Sequence, residues 1–480
     1  MPTVCKTADN IVILLYNRGM EKDRTGSVAP SAERKVKEHK NIAAGGANVT
    51  ETSVGRKSAE KKGKEMSACE ARKARRKQLS EMFSRRHYCL LMLVCAVMRA
   101  RFRVRSVLSP AFRKQKKECA MLVLSNHVSA FDFAYFSTPF LGKKVSFVVA
   151  ESMMYSMPLF AKMIKGYRAI TKKQFYADYT CIKNIKKYLD AGISVILCPE
   201  GKVSAEGKTG PVAFSIAKLV KWLGYPVASC VIQGAGITRP KWAYTSRTGR
   251  VECRMDVMFD AEQVKTLSAA QIMDGISASL AHNEHVWQIE NGVKFRGKRY
   301  AEGLERLLYV CPECGAEFTL NTSGDEISCS ACGFRARYEH TGKIVSENAE
   351  NCPKRIDLWF DKEKQIVAEQ VEKEDFALSE RVKLFVENDT KNGYREVTDG
   401  VLSLDKNDII FRAKGELSEA DANCRELVFH VRNFVTVANL PGTSLDMYDE
   451  NHTYRMVFTD RKASTKYVLS IEALNASSAK

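Results

Sequence analysis

A histidine and an aspartate five residues apart, in "LVLSNHVSAFD" at residues 122–132, are the first side chains in this sequence suited to proton transfer. An imidazole can accept a proton at one ring nitrogen while the other is held, and Asp132 is spaced to hold one nitrogen of His127 so that the other serves as a base. The spacing by itself is weak, because eight histidines in a chain of this composition give at least one aspartate five positions on about three times in ten by chance. A second acid, Glu200, stands in "CPEGK" between a proline and a glycine. Those neighbours favour a tight turn that presents a carboxylate and its backbone N–H groups.

A different chemistry is written at Cys311, Cys314, Cys329 and Cys332. They form two Cys-x-x-Cys pairs separated by fourteen residues, and a glycine follows each pair. Four thiolates at this spacing suit one tetrahedral zinc, and a site with every position filled by protein is structural rather than catalytic. The rival, a pair of redox dithiols, requires two matched knuckles to be coincidence. His282 and His285, in "AHNEHVW", have no ligand-spaced partners and are assigned no role.

To bring His127 and Glu200 together, both must ride on neighbouring strand ends. The runs "AMLVLSN", "KVSFVVA", "GISVILCP" and "PVASCVIQG" read as buried strands, with helical patterns such as "YADYTCIKNIKKYLDAG" between them. Such alternation implies an α/β sheet covered on both faces. A helix starting at His127 would favour the neutral imidazole through its positive end. After the cysteines, "IDLWF", "VKLFVE", "GVLSLDKNDIIFRA", "RELVFHVRNFVTVA" and "TYRMVFTD" read as short strands of a β-rich domain.

The charge of +19 is concentrated at one end: residues 1–120 hold 28 Lys and Arg against 11 Asp and Glu. A basic block attracts nucleic acid or an anionic membrane, and its neighbours decide between them. Residues 1–75 have too little apolar content to fold and read as a disordered basic extension; Met20, Met66 and Met82 offer later starts of translation. Between flanking arginines, Tyr88 to Met98 forms an apolar stretch about 16 Å long as a helix, half a bilayer's apolar thickness. It reads as a helix lying in the interface of an anionic membrane, against the plainer alternative of a core helix with a basic edge. Fifteen cysteines with no signal peptide pattern point to a reducing compartment.

Taken together, the blocks resemble the glycerophosphate and lysophosphatidate acyltransferase family. That family carries Asn-His, four residues and Asp, then a glycine segment ending in a basic residue, then a Phe-Pro-Glu-Gly-Thr-Arg-Ser turn. The matching stretches here are "NHVSAFD", "GYRAITK" and "CPEGKVS", with "FVVAESMMYSMPLFAKMI" also similar, over about residues 85–300. The resemblance implies that His127 is the general base and Asp132 its orienting partner. It implies a substrate site at Asn126, Lys172, Glu200, Gly201 and Lys202, with acyl-CoA or acyl carrier protein as donor. The chain departs from the family at Lys202 and Val203, where Thr-Arg is usual, and at Ser229, where a proline is usual. These departures leave the acceptor open.

The expected architecture is an α/β acyltransferase domain with an N-terminal interfacial helix, followed by a zinc ribbon and a small β-rich C-terminal domain. The expected boundaries are 1–75, 76–110, 111–300, 301–345 and 346–480. The expected activity is transfer of a fatty acyl group to a glycerolipid hydroxyl, foremost 1-acyl-sn-glycerol-3-phosphate, in phospholipid biosynthesis on the cytoplasmic face of a membrane, with the protein bound peripherally and holding structural zinc. Nucleic acid is not an expected partner, because the ribbon balances its own charges. The rival is a catalytically inactive lipid- or nucleic-acid-binding interaction protein that uses the ribbon and the C-terminal β domain. Lys165, Arg168 and Lys173 are further candidates for acceptor phosphate. Met153, Met154, Met157 and Met163 suit core packing more than an acyl groove.

Overall fold

Short apolar runs bounded by turns become strands when both of their faces are covered. In the computed structural model, which describes residues 84–480 apart from 152, 154–157, 173–177, 389–392, 450–451, 461 and 479–480, seven such runs form one sheet. They are β1 (Val104–Leu108), β2 (Leu122–Ser125), β3 (Val145–Ala150), β4 (Ile170–Lys172), β5 (Ser194–Leu197), β6 (Val227–Gln233) and β7 (Val251–Phe259). Their order is β1-β7-β6-β2-β5-β3-β4. β2 through β6 run parallel, while β7 returns antiparallel beside β6. The basic extension with its three methionines lies outside the described residues, as do Lys173, Met154 and Met157.

Every residue of β2 and β5 is buried. Because side chains alternate along a strand, Val123 and Ile196 enter one apolar cluster, and Leu122, Leu124, Val195 and Leu197 enter the other. The first cluster is closed by α1 (Arg85–Arg101), α2 (Pro110–Glu118), α3 (Asp132–Ser137) and α4 (Pro158–Tyr167). The second is closed by α5 (Tyr179–Asp190), α6 (Ser215–Leu223) and α7 (Ala269–Leu280). Local chemistry fixes where these helices start. The Asp178 side chain accepts from Cys181 N at the head of α5, and Ser268 and Gln271 form a reciprocal capping box on α7.

The helix α1 covers the expected apolar stretch but serves two environments. Leu91, Met92, Cys95 and Met98 pack into the core, whereas Leu90, Leu93 and Val97 stay 51%, 63% and 45% exposed. Its C-terminal arginines turn inward: Arg99 donates to Tyr135 O at 3.1 Å and to Ser106 Oγ at 2.8 Å, and Arg101 to Thr248 Oγ1 at 2.8 Å. The chain after it, expected as the end of the helical segment, is instead edge strand β1, in register with β7 from Val104 opposite Val251. Among the described residues no helix is long and apolar enough to cross a membrane.

The cysteine segment holds a four-stranded antiparallel sheet of β8 (Leu320–Ser323), β9 (Glu326–Cys329), β10 (Arg335–Tyr338) and β11 (Ile344–Val345). After α8 (Glu284–Glu290), and beyond this sheet, comes α9 (Ile356–Glu372). Its first residues are the "IDLWF" expected as a strand. Ile356, Trp359, Phe360, Glu363 and Val367 are all buried, which is the i, i+3, i+4, i+7 repeat of a helix face that a five-residue window cannot distinguish from a strand. A seven-stranded antiparallel sheet then runs from β12 (Leu378–Asn388) through β13 (Gly393–Leu404), β14 (Asp408–Ala413), β15 (Glu426–His430), β16 (Ala438–Leu440) and β17 (Ser444–Tyr448) to β18 (Thr453–Phe458), and α10 (Ala463–Ser478) closes it. One apolar cluster runs without interruption from Leu320 and Ile327 of the cysteine segment through Trp359 and Phe360 to Leu384 and Met456. The ribbon and the β-rich region thus share a core.

Candidate active site

Parallel strands of an open sheet end along one edge, and that edge is where ligand sites form. Here β2 delivers Asn126 and His127, β5 on one side delivers Glu200, and β6 on the other delivers Gly234. The chain turns at Ser129 before α3 begins at Asp132, so His127 sits in a loop and not at the helix start expected for it. The loop is held by the acid that follows it. Asp132 Oδ2 accepts from Val128 N at 3.0 Å, from Ser129 N at 3.1 Å and from His127 Nδ1 at 2.8 Å. Asp132 is 2% exposed against 26% for the histidine, which leaves the Nε2 side of the ring toward solvent. Burial pushes the Asp132 carboxyl above its ordinary range, opposed by these donors.

Glu200 performs the same service from β5. Its Oε1 accepts from His127 N at 2.8 Å and its Oε2 from Gly210 N at 2.6 Å, so one buried carboxylate ties the histidine loop to the loop of residues 199–210. Burial raises its pKa to about 7 despite both donors. Ser204 N donates to His127 O at 2.8 Å, closing the tie from the other direction. Gly201 turns at a φ of +72°, a region that glycine enters without penalty.

A third buried acid was not foreseen. Glu284, fully buried at the start of α8, accepts from Gly236 N at 2.9 Å and from Gly234 N, and so orders the loop after β6. Gly234 has a φ of +84°, and a Cβ there would lie 2.4 Å from Arg250 O. The only sequence signal was the pair of left-handed-capable glycines in "QGAG"; nothing nearby named the acid that caps them.

The expected substrate-site residues divide. Asn126 is buried, and its side chain accepts from Ile232 N at 2.7 Å and donates to Ile232 O at 2.9 Å. These two bonds join β2 to β6. Lys172 ends β4, three strand spacings from β2, or about 14 Å at roughly 4.8 Å per step. It is not brought to His127, and burial lowers its pKa. Lys202 is in the tied loop, and its ammonium is ion-paired with Glu472 of α10. Ser229 lies inside β6 between Leu124 and Asp256, where a proline would forfeit a ladder N–H. Met153 and Met163 pack against the core. His285 is buried with Nε2 against Glu206 O at 2.9 Å, a structural contact.

The four cysteines do converge. All four sulfurs lie within 4.8 Å of one another, with Cys311 and Cys332 at 3.7 Å and Cys314 and Cys329 at 3.9 Å. Tetrahedral zinc with bonds of about 2.3 Å sets its sulfurs about 3.8 Å apart, so the set fits zinc without rearrangement. The knuckles repeat one design: Gly315 N donates to Cys311 O at 3.0 Å and Gly333 N to Cys329 O at 3.1 Å, both glycines at positive φ.

Both centres lie in stretches that match family models. The family model described as Acyltransferase matches residues 110–233. A zinc-ribbon model, described as DNA directed RNA polymerase, 7 kDa subunit, matches residues 304–340. Among solved structures the chain is similar to the 1-acyl-sn-glycerophosphate (LPA) acyltransferase PlsC from Thermotoga maritima, at 18% identity and a TM-score of 0.33, over 43% of this chain and 78% of that one. No curated protein matches the chain. His127, Asp132 and Glu200 all lie within the residues that match the Acyltransferase family model, and the four cysteines lie within those that match the zinc-ribbon model.

Proposed function

We propose that the chain transfers a fatty acyl group from a thioester, acyl-CoA or acyl carrier protein, to the hydroxyl of a glycerolipid, with 1-acyl-sn-glycerol-3-phosphate the acceptor favoured by the family resemblance. The observation that carries this reading is His127 held by Asp132 through Nδ1, with Nε2 facing outward at the carboxyl edge of the sheet. With Nδ1 donating to Asp132, the lone pair is on Nε2. It takes the proton of the acceptor hydroxyl as that oxygen attacks the thioester carbonyl. The tetrahedral intermediate collapses with cleavage of the carbon–sulfur bond, and the imidazolium returns the proton to the departing thiolate. Asp132 stabilises the transient cation. No acyl-enzyme is required, since the thioester is already activated.

The exposed stripe of Leu90, Leu93 and Val97 on α1, next to a strongly basic segment, suits peripheral attachment to the anionic cytoplasmic face of a membrane, where the acceptor resides. The four cysteines would hold zinc as a structural ion that fixes the ribbon against the C-terminal core. The test is acyl transfer from palmitoyl-CoA or palmitoyl carrier protein to a panel of glycerolipid acceptors, wild type beside His127→Ala, with products identified by mass spectrometry. Product that persists at wild-type rate in the variant removes His127 from the mechanism and the reading with it.

A further inference from the structure

The loop of residues 199–210 belongs to the acyltransferase domain, yet it is clasped from outside it. Lys208 pairs with Asp361 at 2.7 Å and Glu206 with Lys364 at 3.2 Å, both partners on α9. Lys202 pairs with Glu472 on α10, a residue 270 positions further along the chain. Glu472 is itself fixed, because Thr436 Oγ1 also donates to its Oε1. On either side of Lys202, the loop is bonded to the backbone of the histidine: Glu200 accepts from His127 N, and Ser204 N donates to His127 O. Two residues of chain reach about 7 Å at most, so Lys202 departs from the backbone close beside His127. A second ammonium stands there too, since Lys241 Nζ donates to Val203 O at 3.2 Å.

A lysine at this place, with another beside it, is where a phosphate on the acceptor would find charge. In this chain the position is already filled by a carboxylate from the C-terminal region. We infer that Glu472 is a specificity-determining residue of the acceptor site: it occupies the anion position at Lys202, so a phosphomonoester head group binds there only by displacing it. The inference rests on the acyl-transfer reading for its biological meaning, and it gives the C-terminal domain a task in acceptor choice. An uncharged acceptor, such as a monoacylglycerol, has nothing to displace.

The experiment uses the full zinc-loaded chain and measures binding apart from turnover. Isothermal titration with glycerol 3-phosphate is run on wild type, Glu472→Gln, and the double variant Lys202→Gln/Glu472→Gln. Glutamine keeps an oxygen for Thr436, and melting temperature and zinc content check that each variant is folded. The expected result is about tenfold tighter binding in Glu472→Gln, the effect of freeing one charge-assisted contact, and no gain in the double variant. Equal affinity in wild type and Glu472→Gln overturns the inference, as does a gain that survives loss of Lys202. If Glu472→Gln fails to fold, Thr436→Val decides in its place: it removes the hydroxyl that fixes Glu472, so glycerol 3-phosphate must bind more tightly than in wild type, and unchanged or weaker binding refutes the claim. In parallel, the ratio of transfer to lysophosphatidate over monoacylglycerol should rise in Glu472→Gln. Absence of any His127-dependent transfer would overturn the acyl-transfer reading while the binding result still judged Glu472.

Discussion

The two centres of this molecule are built by opposite strategies. In the ribbon, ligands come in pairs three residues apart, and each pair is shaped by its own glycine, with Gly315 N on Cys311 O and Gly333 N on Cys329 O. At the sheet edge, His127 is oriented by Asp132, its backbone is fixed by Glu200 from 73 residues away, and the next loop is fixed by Glu284. The ribbon is a local design that repeats; the site is a meeting of loops, each anchored by a buried acid that accepts backbone N–H groups. Where one ion can gather four like ligands, the protein needs short turns. Where a single imidazole must be held, it spends buried carboxylates, groups whose desolvation is unfavourable unless donors surround them.

If the comparison is right, the two centres should fail differently. His127→Ala is expected to reduce turnover by about 10²- to 10⁴-fold, the usual range for loss of a general base, with little change in melting temperature, since the ring is partly exposed and carries no core. Cys311→Ser should do the reverse. It is expected to lose the bound zinc and to lower the melting temperature of the C-terminal half, because Cys311 belongs to the core that the ribbon shares with the β-rich region. Metal analysis and calorimetry check this, and a variant that keeps full zinc would sink the tetrathiolate site.

A smaller effect tests the anchoring acids. Glu200 has a folded-state pKa of about 7, above the ordinary glutamate value, because burial disfavours its charged form. A raised carboxyl pKa means that the folded state holds its proton longer than the unfolded chain does. Its contribution is therefore complete below the unfolded value and declines as pH rises toward 7, by roughly 3 kcal/mol in all for a shift of this size. Glu200→Gln, which does not titrate, should gain stability relative to wild type from pH 4.5 to 7 as followed by thermal melts, even if it is less stable throughout. A constant difference across that range refutes the assignment.

How much of this was readable in the sequence follows from the same contrast. The cysteine quartet was complete on inspection, because its ligands and turns are contiguous in the chain. The strands ending at Ser125, Leu197 and Gln233 were also apparent, since buried parallel strands are unbroken apolar runs. The His127 and Asp132 pair was visible, but not that α3 starts at Asp132. Glu284 and Glu472 were out of reach. An acid that serves a loop 48 residues earlier, or a lysine 270 residues earlier, leaves no periodic or spacing signal in a single sequence. That Lys172 ends the strand at the sheet's edge, three strands from the one that carries His127, was not legible either, because strand order is a property of the fold and not of the order in which motifs occur. "IDLWF" was misread because five apolar-rich residues do not fix a period, and its helical repeat extends to Val371.

The smallest expected effect concerns α1, which supplies no side chain to either centre. α1 places Leu91, Met92, Cys95 and Met98 in the core and Leu93 on the outside, 63% exposed. A change at Leu93 therefore separates surface function from folding in a way that a change at Leu91 does not. Burial of one leucine in the acyl boundary is worth about 1.5–3 kcal/mol, so Leu93→Glu should weaken binding to anionic vesicles by roughly tenfold or more in sedimentation assays. The basic segment adds attraction that salt screens, so raising ionic strength should weaken wild type and variant alike. In detergent micelles, with donor and acceptor both dissolved, Leu93→Glu should turn over as wild type does. Unchanged vesicle binding would mean that this stripe is not the lipid contact. Lost activity in micelles would tie α1 to the catalytic edge and erase the separation between the two.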